Sequence, residues 1–121
     1  MQINFTPVAS SDLSALPQQI QLQLLGELKN IPADPQQSAS DKIGCLRRHG
    51  RKIYRYRAND YRIYFSTTDK GLLIQRVLHK NTLDDFLYRS NLPLVDEDSA
   101  LEKNKQFWQF LEEEEPSNRT S

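Results

Sequence analysis

The amino-acid sequence predicts an α+β fold in which an N-terminal helical hairpin packs on an antiparallel β-sheet and a helical extension follows at the C-terminus. Apolar residues recur at helical spacing between residues 20 and 28, which predicts an amphipathic helix. Three segments rich in aromatic and β-favouring residues lie between residues 52 and 78, separated by turn residues. Apolar residues return at helical spacing between 101 and 111, which predicts a last amphipathic helix.

The N-terminal segment predicts a strand followed by two helices. Residues 2–6 alternate polar and apolar side chains, so we expect a short edge strand with Ile3 and Phe5 facing inward. Residues 10–12 are good N-cap candidates for a first helix, because their short polar side chains accept hydrogen bonds from free backbone N–H groups. Pro17 suits the first turn of the second helix. The helical hairpin therefore follows the first strand directly.

The centre of the chain predicts a three-stranded antiparallel meander. Residues 52–57 favour a strand, and Asn59-Asp60 favours a tight turn because both residue types tolerate left-handed backbone angles. Residues 61–65 form the returning strand. A second turn at residues 69–71 leads into a third, mostly apolar strand at 72–78. After the meander, the sequence predicts a short helix beginning at a Thr82 cap.

Length and composition limit the domain organisation and the class of protein. A chain of 121 residues fits one domain, which we place at residues 1–92, with an amphipathic, acidic extension at 93–121. The lone Cys45 and the lack of a spaced Cys/His set predict neither a disulfide nor a structural metal, and no cofactor is expected. No apolar run approaches the roughly 20 residues that span a bilayer, so a cytoplasmic protein is expected.

Charge is distributed unevenly along the chain although the formal net charge is zero. Between residues 42 and 80 the sequence has eleven basic residues and two acids. The balance is restored downstream, ending in the run Glu112 to Glu115. A basic core followed by an acidic end indicates an anionic partner for the core. We also consider that the acidic end folds over the basic core and competes with phosphate.

Three arginines of the predicted meander suggest an anion-binding surface. Side chains alternate across a strand, so Arg55 and Arg57 share one face, and Arg62 on the partner strand can converge on the same face. Guanidinium groups gathered in this way are stabilised by an anion that accepts their forked N–H donors, and phosphate is the natural candidate. The alternative is that each arginine pairs with its own carboxylate or is solvated.

The segment from Tyr54 to Tyr64, YRYRANDYRIY, together with Phe5-Thr6-Pro7 upstream and Val77-Leu78-His79-Lys80 downstream, resembles the RelE/ParE toxin family. The resemblance runs from about residue 3 to about residue 90, with element order and spacing matching. It implies a curved antiparallel sheet with the N-terminal helices on one side, a cognate antitoxin partner and, in the RelE branch, cleavage of messenger RNA on the ribosome.

The resemblance also implies roles for individual residues. Arg55, Arg57 and Arg62 match the phosphate-binding and charge-stabilising positions, Lys80 matches the basic residue after the family histidine, and Tyr88 is the candidate for the aromatic residue of the final helix. The predicted RNA- or partner-binding surface consists of Arg47, Arg48, Arg51, Lys52 and His79. The resemblance thus implies either a metal-independent endoribonuclease or a weakened descendant of one.

Departures from the family pattern keep other functions open. Ile53 stands on the Arg55 face where strong nucleases of the family carry another basic group, and no glutamate–histidine pair stands out as general base and acid. One alternative is a non-catalytic regulator that binds a protein of RNA metabolism such as a ribonuclease. Another is a ParE-like gyrase inhibitor, with which the segment Arg76-Val77-Leu78-His79 is compatible. Sister toxins share one scaffold and differ in the site built on it.

Overall fold

The computed structural model describes residues 2–32, 34–35, 41–83 and 97–111. The strands are β1 (Gln2–Phe5), β2 (Ile43–Arg48), β3 (Arg51–Ala58), β4 (Tyr61–Thr68) and β5 (Gly71–His79). The helices are α1 (Pro7–Ser14), α2 (Gln18–Leu28), α3 (Glu97–Glu102) and α4 (Lys105–Leu111). Within the described residues, no helix has the length and apolar character needed to cross a membrane.

One sheet of five strands, in the order β1-β5-β4-β3-β2, organises the molecule. The predicted meander β3–β4–β5 is confirmed, and β2 adds an antiparallel edge next to β3. Strand β1 lies at the other edge and runs parallel to β5. The α+β prediction is therefore confirmed, with one parallel pair in an otherwise antiparallel sheet.

The turns of the sheet follow from residues that accept a left-handed backbone. Asn59 has φ 57° at the β3–β4 turn, as predicted, and His49 and Gly50 have φ 51° and 80° at the β2–β3 turn. Such angles are routine for glycine and tolerated by asparagine, and they match the twist of a two-residue hairpin. These two turns fix the cross-strand register of β2, β3 and β4.

The first helix begins earlier than its predicted cap. Thr6 is the N-cap: its Oγ1 accepts a hydrogen bond of 3.1 Å from the Ala9 N–H, and Pro7 occupies the first helical position. The prediction of a cap at residues 10–12 was wrong because Pro7 reads equally well as the end of a strand and as the start of a helix. The predicted helix after Lys80 also begins before Thr82, since residues 80–83 are already helical.

Both faces of the sheet are covered. Helices α1 and α2 pack on one face, where the buried side chains include Leu24, Leu28, Tyr54, Tyr56, Ile63, Phe65 and Ile74. Leu25 of the predicted stripe is 40% exposed and does not join this cluster. On the other face, α3 and α4 bury a second cluster with Leu46, Ile53, Tyr64, Leu78, Leu101, Phe107, Trp108 and Leu111. The C-terminal helices thus form a second layer on the sheet.

Candidate functional site

The predicted arginines lie on the sheet face that α3 and α4 cover. Arg57 is directly opposite Arg62 in the β3–β4 register, and Arg55 is opposite Tyr64. Tyr64 in turn is opposite Arg76 on β5. The sheet therefore brings four guanidinium-bearing residues and one phenol together on a single face, which we call the arginine face.

All three guanidinium nitrogens of Arg55 donate hydrogen bonds. Its Nε and Nη2 donate to Oδ1 and Oδ2 of Asp98 at 3.1 and 2.6 Å, which is the bidentate geometry of an arginine–carboxylate pair. Its Nη1 donates to the backbone oxygen of Lys42 at 2.6 Å. Only 4% of Arg55 is exposed, so this charge is buried together with its counter-ion.

Gly44 on β2 makes room for this pair. A Cβ at position 44 would collide with Nη2 of Arg55 and with Oδ2 of Asp98. Glycine in a strand usually weakens it and often marks a close approach of another group. The sequence therefore provides a gap in the edge strand where the carboxylate of α3 reaches the arginine.

Arg62 forms the second ion pair with α3. Its Nε donates to Oε1 of Glu97 at 3.1 Å, and its Nη1 donates to the backbone oxygens of Asn59 and Tyr61 at 2.9 and 3.1 Å. The side chains of Arg62 and Glu97 are 12% and 20% exposed. Arg62 is thus mostly covered, like Arg55.

Two polar atoms under α3 are buried without a hydrogen-bond partner among the described residues, the Nε of Arg57 and the hydroxyl of Tyr64. Burial raises the pKa of Tyr64 well above its ordinary value, and the carboxylates of Glu97 and Asp98 raise it further. Like charges directly opposite on neighbouring strands are unfavourable, which applies to Arg57 and Arg62. The layer between the sheet and α3 therefore contains buried polar atoms without hydrogen bonds and two arginines directly opposite each other.

The expectation that Arg55, Arg57 and Arg62 form an open concavity for an anion is corrected by this arrangement. Two of the three guanidinium groups are each paired with a carboxylate of α3. The sequence indicated only in general terms that acids could pair with these arginines, through the contrast between a basic core and an acidic end. It did not identify Glu97 and Asp98 as the partners, because no local pattern joins residues so far apart.

The other predicted site residues lie near the end of β5. The Nζ of Lys80 is 3.3 Å from Oδ1 of Asp60, in an exposed ion pair. The ring of His79 packs edge-on against Tyr61, with centroids 5.0 Å apart, and its Nδ1 accepts a hydrogen bond from the Asn81 N–H. These contacts hold the His79 ring at the strand end, and its role in binding RNA or a partner stays a prediction. Tyr88 lies outside the described residues.

The β2–β3 hairpin carries the predicted cationic surface. Arg47 is directly opposite Lys52, and Arg48 is directly opposite Arg51. The Arg51 guanidinium lies 5.6 Å from the centre of the Trp108 ring. A surface cavity of about 320 Å³ adjoins this contact and is lined by Arg48, His49, Arg51, Lys105, Trp108 and Gln109. The turn end of the hairpin therefore carries two adjacent cross-strand pairs of like charge.

Arg76 forms an ion pair that the sequence did not indicate. Its Nε and Nη2 donate to Asp12 of α1 at 2.8 and 3.0 Å, and its Nη1 donates to the backbone oxygen of Phe110 at 3.0 Å. The Asp12 carboxylate also accepts from the Val77 N–H at 3.0 Å. Asp12, predicted as a cap, instead fastens α1 to β5. Among the described residues, no group of three or more His, Cys, Asp or Glu side chains could hold a metal ion.

Comparison with known proteins agrees with this architecture. A chain of the RelBE2 toxin–antitoxin complex from Mycobacterium tuberculosis superposes with a TM-score of 0.53 and 25% identity, over 64% of this chain and 88% of that one. A chain of the archaeal RelE–RelB complex from Pyrococcus horikoshii gives 0.51 and 20%, over 65% and 93%. No curated protein sequence matches.

The sequence model of the ParE toxin of type II toxin–antitoxin systems matches residues 3–84. The match contains β1 from its second residue, the other four strands, both N-terminal helices and every arginine of the arginine face. Helices α3 and α4 lie beyond it. The chain therefore belongs to the RelE/ParE superfamily of type II toxins.

Proposed function

We propose that this toxin acts on RNA and that the β2–β3 hairpin makes the first contact with the phosphate backbone. The observation that carries the proposal is the pairing of Arg47 with Lys52 and of Arg48 with Arg51 across the hairpin. Four cations at the turn end of one hairpin suit a polyanionic ligand, because lysine and arginine contacts to phosphates supply most of the affinity in nucleic-acid binding.

The proposed site of chemistry is the part of the arginine face formed by β3 and β4, without Arg76 of β5. In RNA cleavage without a metal, a ribose 2′-hydroxyl loses its proton and attacks the adjacent phosphorus, the bond from phosphorus to the 5′-oxygen breaks, and that oxygen leaves with a proton. Positioned cations stabilise the charge that develops on the phosphate. Arg55, Arg57 and Arg62 are the proposed phosphate-binding groups, and Lys80 and Tyr88 complete the proposed set. Arg57 is the best placed of the three arginines, since its Nε has no hydrogen-bond partner among the described residues.

We also propose an antitoxin as the protein partner. The superposed structures from Mycobacterium tuberculosis and Pyrococcus horikoshii are toxin–antitoxin complexes. A partner that neutralises the exposed cations of the β2–β3 hairpin would compete with RNA for the same surface. Co-purification from native extract would identify it.

RNA binding by the full-length protein tests the contact surface. The variant Arg47→Gln/Arg48→Gln is compared with Lys29→Gln/Lys70→Gln, which removes two exposed cations elsewhere. We expect only the hairpin variant to lose affinity for single-stranded RNA. Its salt dependence should also weaken, by a slope of about 0.7 for each lost phosphate contact. Equal affinities for the two variants would remove the hairpin from the proposal.

A cleavage assay with ribosomes and messenger RNA tests the chemistry separately. Arg57→Ala removes a guanidinium that makes no ion pair with α3, so we expect loss of cleavage with little change in folding. Cleavage at the wild-type rate by this variant would contradict a catalytic role for Arg57.

Gyrase inhibition is the second candidate, and the match to the ParE toxin model favours it. A supercoiling assay with purified gyrase distinguishes it: inhibition without RNA binding would replace the RNA proposal. A non-catalytic regulator of a ribonuclease is the third candidate, favoured by the pairing of Arg55 and Arg62 with carboxylates. Stable binding of a ribonuclease, with neither cleavage nor gyrase inhibition, would identify that function.

A further inference from the structure

We propose that α3 is an inhibitor in cis of the arginine face, in which the carboxylates of Glu97 and Asp98 take the place of an anionic ligand. The identification of that ligand as an RNA phosphodiester rests on the proposed function. The competition between the carboxylates of α3 and an anion is independent of the proposed function.

The first argument is the match in chemistry. A bidentate carboxylate and a phosphate use the same forked N–H donors of arginine. Asp98 accepts from both Nε and Nη2 of Arg55, and Glu97 accepts from Nε of Arg62. An anion that bound to this face would need the same N–H groups, so it and α3 exclude each other.

The second argument is the position of the two partners in the chain. Both arginines lie within residues 3–84, which match the toxin family, whereas both carboxylates lie beyond the match. The acidic helix is therefore an addition that reaches the arginine face of the toxin domain. Gly44 lets it approach, because any larger residue there would collide with Arg55 and Asp98.

The third argument is that the closed arrangement is poorly compensated. The buried Nε of Arg57 and hydroxyl of Tyr64 have no partner among the described residues, and a buried polar atom without a hydrogen bond costs about 1–3 kcal/mol. Helix α3 has six residues, which is too short to be stable alone. These features favour a contact that opens over one that only fixes the fold.

The fourth argument is that the ion pairs of α3 with the arginines come from its first two residues, whereas most apolar contacts of the extension come from later residues. The ion pairs involve residues 97 and 98, while the apolar contacts come from Leu101, Phe107, Trp108 and Leu111. The first turn of α3 can therefore leave the arginines while α4 stays packed on the sheet.

The experiment uses full-length protein with the substitutions Glu97→Gln/Asp98→Asn, which remove both charges and keep the side-chain shapes. The matched control is Asp12→Asn, which removes the carboxylate of the other bidentate arginine pair. Reaction of each arginine with phenylglyoxal is followed by peptide mass spectrometry, with and without pyrophosphate. Affinity for single-stranded RNA is measured on the same samples.

We expect Arg55 and Arg62 to be protected in the wild type and reactive in the double variant, with protection restored by pyrophosphate. RNA affinity should rise at least about fivefold, the lower end of ordinary coupling between sites. In the control, Arg76 becomes more reactive and RNA affinity stays at the wild-type value. Arginines that stay protected in the folded double variant, or that pyrophosphate does not protect, would overturn the proposal.

The two proposals fail in different ways. Pyrophosphate protection without any RNA binding would support the inhibitory helix and reject RNA as the ligand. RNA binding that depends on the hairpin but is the same with and without the α3 charges would reject the inhibitory helix alone. If the double variant does not fold, hydrogen exchange of the wild type decides: residues 97–102 should exchange faster as pyrophosphate is added, and unchanged exchange rejects the inhibitory helix.

Discussion

Arg55 on β3 donates two hydrogen bonds to the carboxylate of Asp98, which lies 43 residues later in the chain. The two side chains are 5% and 16% exposed. Taking both charges out of water is unfavourable, and the pair compensates for this only while both members are present. The stability of the second helical layer therefore depends on a contact that also occupies the proposed anion site.

Removal of one partner of this pair should be strongly destabilising. Asp98→Ala leaves the Arg55 charge without its counter-ion for as long as α3 covers it, and we expect the free energy of unfolding to fall by about 3 kcal/mol. Urea denaturation followed by circular dichroism measures it. The double variant Arg55→Met/Asp98→Leu should recover most of the loss, because neither charge remains. A loss in Asp98→Ala no larger than about 0.5 kcal/mol would show that the pair behaves like an exposed one.

Gly44 provides a test that leaves every charge in place. Gly44→Ala forces the Arg55 and Asp98 side chains to move, and we expect a loss of about 1–3 kcal/mol, as for other overpacked sites. Gly26→Ala is the control: nothing lies within 4 Å of the added Cβ in α2, so the change should stabilise the protein by up to about 1 kcal/mol. Opposite signs in thermal unfolding would confirm the distinction, and equal signs would contradict it.

Local sequence patterns predicted the sheet well because its signals are short-range. The turn at Asn59 is specified by residue types that tolerate a positive φ, and it fixed the β3–β4 hairpin. The start of α1 was wrong by several residues because Pro7 is compatible with both a strand end and a helix start. In both cases the information lies within a few residues of the feature.

The arrangement of the site was less predictable because it depends on long-range contacts. Alternation along β3 placed Arg55 and Arg57 on one face, as expected. Which carboxylate meets Arg55 is decided by how α3 packs over Gly44, and no periodicity encodes that. The parallel pairing of β1 with β5 was missed for the same reason.

The charge pattern of the β2–β3 hairpin predicts a conflict between stability and binding. Arg48→Glu places a carboxylate opposite Arg51, and the new cross-strand pair should stabilise the protein by up to about 1 kcal/mol. The same change should reduce RNA affinity, because it replaces a cation by an anion on the contact surface. Lys70→Glu, at the β4–β5 turn, is the control and should leave RNA affinity unchanged. Parallel losses of stability and affinity in Arg48→Glu would indicate that Arg48 has a structural role instead.

The contact between Tyr56 and Glu27 predicts a pH-dependent contribution to stability. The Tyr56 hydroxyl donates a hydrogen bond of 2.8 Å to Glu27 Oε2, and this bond, helped by Asn30, lowers the pKa of Glu27 below its usual value of 4.5. A carboxyl whose pKa is lowered by folding stabilises the folded state above its unfolded pKa, and that contribution is lost as the pH falls through the folded pKa. Tyr56→Phe should therefore lower the free energy of unfolding by about 1 kcal/mol at pH 7 and by progressively less below about pH 4.5.

Urea denaturation at several pH values measures the difference between Tyr56→Phe and the wild type. In a Glu27→Gln background the effect of Tyr56→Phe should not depend on pH over this range. A difference that stays constant down to pH 3 in the wild-type background would show that the lost hydrogen bond is not to the charged carboxylate.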